Sequence, residues 1–264
     1  MFHLTLLRRF AIKDKSLGLT EPSGLALASG GDGLWTVSDD TKRILRLDPE
    51  GKLLRDHSFE VPVSGLEAIT TGADGSTLYA VCEDTNEVLC LDLASEKVTR
   101  RRRLADMAGY EAIAHLFAGS DANKGLEGLA WNNDTARLFA LKEGSPGLLI
   151  EISADLAAVC SHTSLGETNG FVDDDVAGDR LDFSGLCYDT TRRAFWIVSD
   201  RARRVFLYDP AAGRVLHSAP LGYAKNGQYR QISKAEGVAY DAQRKRLYVV
   251  CDEDARLYVY DVRH

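Results

Sequence analysis

A short segment recurs five times along this 264-residue chain, and its spacing limits the possible fold more than any other feature. Each copy has an aromatic residue, a variable residue, an aliphatic residue, a variable residue and an acid. The copies lie at residues 35–39, 79–83, 139–143, 196–200 and 248–252. This alternation and the high β-propensity of the residues predict that each copy is a strand.

The residues around each copy keep constant distances from it. Twelve residues before each aromatic residue, a serine or a glutamate opens a short apolar run; these opening residues are Ser23, Glu67, Glu127, Ser184 and Glu236. Nine residues after each acid, four of the five copies have an aspartate that ends a further apolar run. The pattern therefore predicts five units, each with three consecutive strands.

A fourth strand is predicted after each of the first four units, at residues 52–59, 97–104, 157–163 and 214–220. The fifth unit has none, but residues 2–12 have the pattern of an outer strand and precede the first unit. We therefore predict an all-β fold, a five-bladed β-propeller with four-stranded blades in which the N-terminal strand closes the last blade. Residues 1–264 form a single domain in this prediction, and ring closure hides the sheet edges.

The openings EGLAW (127–131) and EGVAY (236–240) each precede an LF or LY pair and an acid at a fixed distance. In this respect the chain resembles the SdiA-regulated family of propellers over nearly its whole length. It is more distantly similar to the calcium-dependent gluconolactonase and phytase-like esterase propellers. The resemblance implies the propeller fold, and it implies relatives that are often exported or membrane-anchored.

Charge and cysteine content argue against several classes of protein. The 39 acidic residues outnumber the 32 basic ones, giving a net charge of -7, and a mildly acidic surface repels nucleic acid. The sequence has no run of 18 apolar residues, so it predicts no membrane span. Five cysteines without a CxxC pair favour reduced thiols, and the N-terminus lacks the pattern of an export signal. These features predict a cytoplasmic protein.

The five opening residues should form a ring at one mouth of the central channel, because the first strand of a propeller blade lines that channel. Three carboxylates in this ring, those of Glu67, Glu127 and Glu236, repel one another unless a cation joins them. Ca²⁺ accepts carboxylate and hydroxyl oxygens, so with Ser23 and Ser184 the ring predicts a metal site with Ca²⁺ as the cofactor. Zinc would prefer His and Cys, which the ring lacks.

A structural alternative needs no metal. Each glutamate would accept hydrogen bonds from neighbouring backbone N–H groups, and Lys124, Arg230 or Lys234 would supply the balancing charge. The five acids of the repeat should lie on the same face, slightly farther out: Asp39, Glu83, Glu143, Asp200 and Asp252. Together with Arg230 and Lys234 they are predicted to line a ligand pocket, although a turn role would also explain an acid at the end of a strand.

Three long connections should reach the same face. Residues 105–124 have apolar residues at helical spacing, which predicts a helix lying either across the channel or against the rim. His115 lies in this connection and is the one weak candidate for a catalytic base. Residues 166–182 include an acidic triplet without EF-hand spacing and are predicted to be a solvated loop. Residues 223–235 are basic, which allows anion capture or a solvated loop.

Two classes of function fit this pattern. In the first, the protein is a cation-binding module that presents its channel mouth to a small molecule or a protein partner. In the second, it is a metal-dependent hydrolase of lactones or phosphoesters, in which the ion polarises a substrate oxygen. The familiar nucleophile, zinc-hydrolase and nucleotide-binding motifs are not found, so the sequence favours the first class.

Overall fold

The computed structural model describes residues 2–118 and 124–263, and for Asp179 the backbone alone. The first strand is β1 (His3–Ala11). The first blade follows with β2 (Pro22–Leu27), β3 (Leu34–Ser38), β4 (Arg43–Leu47) and β5 (Phe59–Glu60). The second blade contains β6 (Leu66–Thr71), β7 (Thr77–Cys82), β8 (Glu87–Asp92) and β9 (Lys97–Arg103).

The remaining blades follow the same order. The third contains β10 (Leu126–Asn132), β11 (Arg137–Lys142), β12 (Gly147–Ser153) and β13 (Val159–Leu165). The fourth contains β14 (Gly185–Asp189), β15 (Ala194–Ser199), β16 (Arg204–Asp209) and β17 (Arg214–Pro220). A small hairpin, β18 (Gly222–Lys225) and β19 (Gln228–Gln231), leads to β20 (Ala235–Asp241), β21 (Arg246–Cys251) and β22 (Arg256–Arg263).

The N-terminal strand completes the fifth blade, whose strand order is β1-β22-β21-β20. Strand β1 pairs antiparallel with β22 from His3 opposite Arg263 to Ala11 opposite Arg256. The other four blades are antiparallel sheets of four strands that follow the chain order. This confirms the five-bladed propeller and its closure by residues near the N-terminus.

Hydrophobic core lies at each of the five contacts between neighbouring blades. Five clusters of buried residues each combine side chains of two adjacent blades, including the fifth blade against the first. The aromatic residue of every repeat is buried in one of these clusters, as the repeat predicts: Trp35, Tyr79, Phe139, Trp196 and Tyr248. Blade-to-blade packing therefore holds the ring together, because no blade buries its two faces alone.

The predicted outer strand of the first blade, residues 52–59, is wrong over most of its length. A turn at residues 48–51 is followed by a 3-10 turn at Arg55–His57, and β5 covers Phe59–Glu60 alone. The side chain of Ser58 explains the difference. Its hydroxyl accepts the Arg46 N–H at 3.1 Å and donates to the Leu54 carbonyl at 3.0 Å, which replaces ladder bonds with side-chain bonds.

Helical structure in the described residues is confined to single 3-10 turns. They lie at Ser29–Gly31, Arg55–His57, Leu104–Asp106, Tyr110–Ala112, Ala114–Leu116, Glu167–Asn169 and Gly178–Arg180. None of the helices described here has the length and apolarity needed to cross a membrane. All five cysteines are free thiols, of which Cys82 and Cys251 are buried and Cys160 is exposed.

In four blades a glycine directly follows the opening residue, where the inner strands approach closely, and the second blade has Ala68 at this position. A Cβ atom on Gly237 would lie 2.6 Å from the Ser23 carbonyl oxygen of the first blade, and one on Gly185 would lie 2.5 Å from the Glu236 carbonyl oxygen. Real Cβ atoms do not approach backbone oxygens so closely. The glycines that follow the opening residues therefore allow the inner strands to pack around a narrow channel.

Replacement of Gly237 by alanine should destabilise the protein by about 1–3 kcal/mol or more, because the added methyl group overpacks the contact between the fifth and first blades. Gly166→Ala is a matched control, since Gly166 has extended backbone and no atom within 4 Å of its Cβ position. Urea denaturation of both variants measures the effect. Equal stability of the two variants would contradict the close packing at Gly237.

Candidate functional site at the channel mouth

A β-bulge lies where the inner strand of four blades begins. In β6, for example, Leu66 pairs with Cys82 and Ala68 pairs with Val81, so Glu67 is an extra residue without a cross-strand partner. Glu127 and Glu236 occupy the same position in β10 and β20. Bulges redirect side chains and are common beside functional sites. The three opening glutamates are thus bulge residues, and their side chains do not follow the regular alternation between the two faces of the sheet.

The channel is narrow at its centre. The space between the inner strands at the level of Gly24, Gly128, Gly185 and Gly237 is about 10 Å³. A volume of this size holds about one water molecule at most.

Burial dominates the electrostatics of the three glutamates. Burial, together with the Asp39 and Glu83 carboxylates, raises the pKa of Glu67 to about 7. Burial, together with Asp200 and Asp252, raises the pKa of Glu236 to about 8. The pKa of Glu127 lies well above its ordinary value because of burial and of Glu143. These carboxyl groups hold protons near neutral pH unless a cation offsets their charge.

Acids from the inner and outer positions meet at one part of the mouth. Glu83, Glu127 and Glu143 each offer a carboxylate oxygen, and these oxygens all lie within 4.8 Å of one another. We call this group the Glu127 cluster. Glu83 belongs to the second blade and the other two belong to the third. Burial raises the pKa of both Glu83 and Glu143, and Lys124 opposes the increase at Glu143.

The Glu127 cluster also links two blades through a hydrogen bond between a side chain and the backbone. The carboxylate of Glu83 accepts the Gly125 N–H at 3.0 Å, just before Glu127 in the chain. Among the residues that the structure describes, Glu67 and Glu236 do not join Glu127 in a group with such short separations. The structure therefore places Glu127 in a close group with two of the predicted outer acids.

A second acidic group lies on the first blade. Glu21, Asp39 and Asp40 offer oxygens within 4.8 Å of one another, and the Thr20 hydroxyl donates to Asp40. Burial and the Asp40 carboxylate raise the pKa of Asp39. The Oδ1 atom of Asp39 is buried and has no hydrogen-bond partner within the described residues. The repeat pattern did not include Glu21. Its position two residues before the opening residue Ser23 could have indicated that it lies at the mouth.

The two serines of the predicted metal site contact protein groups. The buried Ser184 hydroxyl donates to the Ala235 carbonyl of the next blade at 2.7 Å. The Ser23 hydroxyl lies 3.2 Å from the Glu21 carbonyl oxygen, and a hydrogen bond from it to Glu67 lowers the pKa of that carboxyl group. Ser184 therefore links the fourth blade to the fifth, and Ser23 contacts Glu21 in the segment before its own blade.

Basic residues balance part of the acidic mouth. The ammonium group of Lys234 lies 2.9 Å from Asp252, and its backbone N–H donates to Asp200. Burial, opposed by Lys234, raises the pKa of Asp200. Arg230 lies in β19 with an exposed side chain. The structural alternative assigned these basic residues to the ring glutamates, whereas Lys234 pairs with the outer acid Asp252 and Lys124 acts on the outer acid Glu143.

The connection at residues 105–124 does not form the predicted helix over its described part, because three separate 3-10 turns replace it. Ala108 bridges Ala158, which follows β12 at the end of the blade opposite the mouth. Met107 and Ile113 are buried in the core between the second and third blades. The described part of the segment packs against these blades rather than across the channel, and residues 119–123 lie outside the described chain. His115 is exposed in the last of the three turns.

The two other connections contain residues that the repeat could not indicate. Phe171 is fully buried in the core of the third and fourth blades, so the loop of residues 166–182 is anchored rather than simply solvated. Asp182 at its end is buried, accepts the Ser199 hydroxyl at 2.8 Å and the Arg201 N–H at 3.0 Å, and thereby positions the turn after β15. The basic segment forms the hairpin of β18 and β19.

Comparisons with known proteins agree with this architecture. A sequence profile of the family described as SdiA-regulated matches residues 7–261. Among solved structures, Myxococcus xanthus glutaminyl cyclase is similar, with a TM-score of 0.65 and 15% identity over 99% of this chain and 96% of that one. The β-propeller domain of Cps50 (Swd1) from Myceliophteria thermophila has a TM-score of 0.55 and 10% identity over 98% and 99% of the two chains. At these identities the two structures support the fold alone.

Proposed function

This chain belongs to the SdiA-regulated family, and from that premise and its acidic channel mouth we propose that it is a calcium-binding propeller module. The bound ion would sit at the Glu127 cluster, and the mouth around it would present a polar pocket to a small molecule or a protein partner. The observation that supports the proposal is the convergence of three carboxylates from two blades within 4.8 Å.

The donor atoms of the Glu127 cluster fit Ca²⁺. All three ligating side chains are carboxylates, and Ca²⁺ takes oxygen ligands at about 2.3–2.6 Å. Two oxygens on opposite sides of such an ion are about 4.6–5.2 Å apart, which is compatible with the separations in the cluster. Zinc would be expected to have histidine or cysteine ligands, and neither is present in the cluster.

The charge on these groups supports a cation in the same place. Burial disfavours the ionised form of Glu127, Glu83 and Glu143. Acidic neighbours disfavour it further at Glu127 and Glu83, whereas Lys124, Arg201 and Lys142 favour it at Glu143. A divalent cation favours the ionised form and so offsets this repulsion. In the second acidic group, the Oδ1 atom of Asp39 is buried without a hydrogen-bond partner within the described residues, and Lys234 opposes the increase in the pKa of Glu21.

A groove beside the acidic mouth leaves room for an organic ligand. A cavity of about 470 Å³ is bordered by Glu21, Lys234 and Asp252. This volume lies in the range of small-molecule sites and supports the alternative of a metal-dependent hydrolase of lactones or phosphoesters. In that alternative the ion would polarise a substrate oxygen, and turnover of a lactone or phosphoester by the calcium-loaded protein would favour it over the binding module.

Calcium should raise the melting temperature of the metal-free protein. An ion that binds the folded protein alone stabilises it by about 2.7 kcal/mol at one hundred times the Kd, which corresponds to an increase of about 5–10 °C for a chain of this size. The double variant Glu83→Gln, Glu143→Gln removes two charges from the Glu127 cluster and should lose most of this response. Differential scanning fluorimetry with and without a chelator measures it.

A matched control is the double variant Glu50→Gln, Glu96→Gln. Both of these glutamates are exposed in turns at the opposite end of their blades, so the same charge is removed far from the mouth. This control should keep the full calcium response. The proposal would be refuted if calcium did not change the melting temperature of the metal-free wild type. It would also be refuted if both double variants lost the calcium-induced increase equally.

A further inference from the structure

A basic groove borders the acidic mouth between the fourth and fifth blades. One cavity of about 480 Å³ and a second of about 470 Å³ share the lining residues Arg203, Ser233 and Lys234. The two cavities therefore form one continuous depression. We call the part toward the fourth blade the arginine groove.

The arginine groove has an excess of cations in its lining. Its charged lining residues are the cations Arg180, Arg201, Arg203 and Lys234 and the carboxylates Asp175 and Asp200. Burial raises the pKa of Asp200, which also accepts the Lys234 backbone N–H. Asp175 is exposed. This composition contrasts with the acidic residues that occupy the rest of the mouth.

Two of the four cations already have carboxylate partners. Arg201 lies 3.5 Å from Asp182, and Lys234 lies 2.9 Å from Asp252. The guanidinium of Arg203 donates to the neutral side-chain carbonyl of Gln231 at 3.0 Å. Among the side chains that the structure describes, no carboxylate lies within ion-pair distance of the guanidinium group of Arg180 or Arg203. The groove therefore offers two guanidinium groups outside ion-pair distance of the described carboxylates, with Asp200 interacting electrostatically with Arg203 over a longer distance.

The backbone holds these arginines in place without using their side chains. Arg203 has a positive φ of 51°, its N–H donates to the Asp200 carbonyl at 2.9 Å, and its own carbonyl accepts the Leu221 N–H at 2.7 Å. The Arg180 carbonyl accepts a bond from Arg201 at 3.2 Å. Both side chains thus project from turns whose backbone is held by hydrogen bonds.

We infer that the arginine groove binds the phosphate group of a small phosphomonoester, with Arg180 and Arg203 as its principal ligands. A phosphate monoester carries about two negative charges near neutral pH, and two guanidinium groups without a described ion-pair partner can bind it. Guanidinium groups donate parallel hydrogen bonds that fit phosphate oxygens. Ser233 lines both parts of the depression, and its hydroxyl donates to the Glu253 carboxylate. This inference rests on the proposed function, because it identifies the class of ligand for the pocket beside the calcium site.

Inorganic phosphate is the probe for a calorimetric titration of the full-length, metal-free protein near neutral pH at constant ionic strength. We expect saturable binding by wild type and a loss of affinity of about tenfold or more in the double variant Arg180→Gln, Arg203→Gln. The variant Arg180→Lys, Arg203→Lys keeps the charge and should retain part of the affinity. If either double variant folds poorly, Arg180→Gln alone tests the groove, because its side chain is exposed.

The control is Arg8→Gln, Arg103→Gln, which removes two exposed positive charges from outer strands. It should bind phosphate within about twofold of wild type, since screening weakens charges beyond about 8–10 Å. Absence of saturable binding by wild type, or equal weakening in the two glutamine variants, would overturn the inference. Because no calcium is present, such a failure leaves the calcium response of the melting temperature as a separate test of the proposed function.

Discussion

A chain that lacks residues 2–12 should not fold to a soluble monomer. Strand β1 pairs with β22 through eight residue pairs, so the deletion exposes an edge of the fifth blade. It also removes Phe2, which is 2% exposed and contacts Trp196 with ring centroids 4.8 Å apart. Loss of such a buried aromatic side chain alone costs about 3–5 kcal/mol. Size-exclusion chromatography with light scattering and thermal denaturation should show aggregation or unfolding.

A synthetic peptide of residues 2–12, added in trans, should restore the monomer, because it can pair with the exposed strand edge. The same peptide with Phe2→Ala should restore it less well. Leu7→Ser in the full chain is a control, since this side chain is 37% exposed and the substitution leaves the strand pairing intact. A truncated chain that remains monomeric with unchanged thermal stability would show that β1 does not close the ring.

The metal-free protein should lose stability as the pH rises from about 5 to about 8. The pKa of Glu67 is about 7 and that of Glu236 about 8 in the folded state, against 4.5 in the unfolded chain. The folded state therefore binds more protons throughout this range, and the stability falls as the pH rises through it. For Glu67 alone the loss is on the order of 3 kcal/mol, and the combined decrease in melting temperature should be on the order of 10 °C.

Other carboxyl groups do not reverse this trend in that range of pH. Hydrogen bonds lower the pKa of Asp74, Asp92 and Asp155 below 3.8, so their contribution to stability is fully present above that value. Glu67→Gln and Glu236→Gln should each flatten the profile, because glutamine does not titrate. Melting curves recorded in the presence of a chelator test this, and a melting temperature that stays constant or rises between these values would contradict the assigned burial.

Saturating calcium should reduce the same dependence on pH. Bound Ca²⁺ favours ionised carboxylates, so its affinity increases as the protons leave, and the calcium-induced increase in melting temperature should be larger at the alkaline end of the range. The two experiments together separate a cation at the mouth from charge balance by lysine alone. Asp252 raises the pKa of Lys234, so this lysine keeps its charge at both ends of the range.

The sequence by itself determined the number of blades, the position of nearly every strand and the closure by residues near the N-terminus. Strand alternation and the constant spacing around each repeat are local properties, so they can be read from one chain. The buried aromatic residues and the opening glutamates follow from the same register. The sequence did not predict that β5 is short, because the Ser58 side chain replaces ladder hydrogen bonds there. Its hydrogen bonds to Arg46 and Leu54 depend on the tertiary positions of these two residues.

Which acidic side chains lie close together at the channel mouth is determined by the tertiary structure alone. The repeat places Glu67, Glu127 and Glu236 at equivalent positions, but the offset between neighbouring blades brings Glu83 of one blade to Glu127 and Glu143 of the next. The arginine groove likewise combines Arg180 from a connection, Arg203 from a turn and Lys234 from a later segment. Such groups depend on how the blades pack against one another and on the paths of connections of unequal length. A repeat in one chain specifies each blade, and the packing between blades specifies the site.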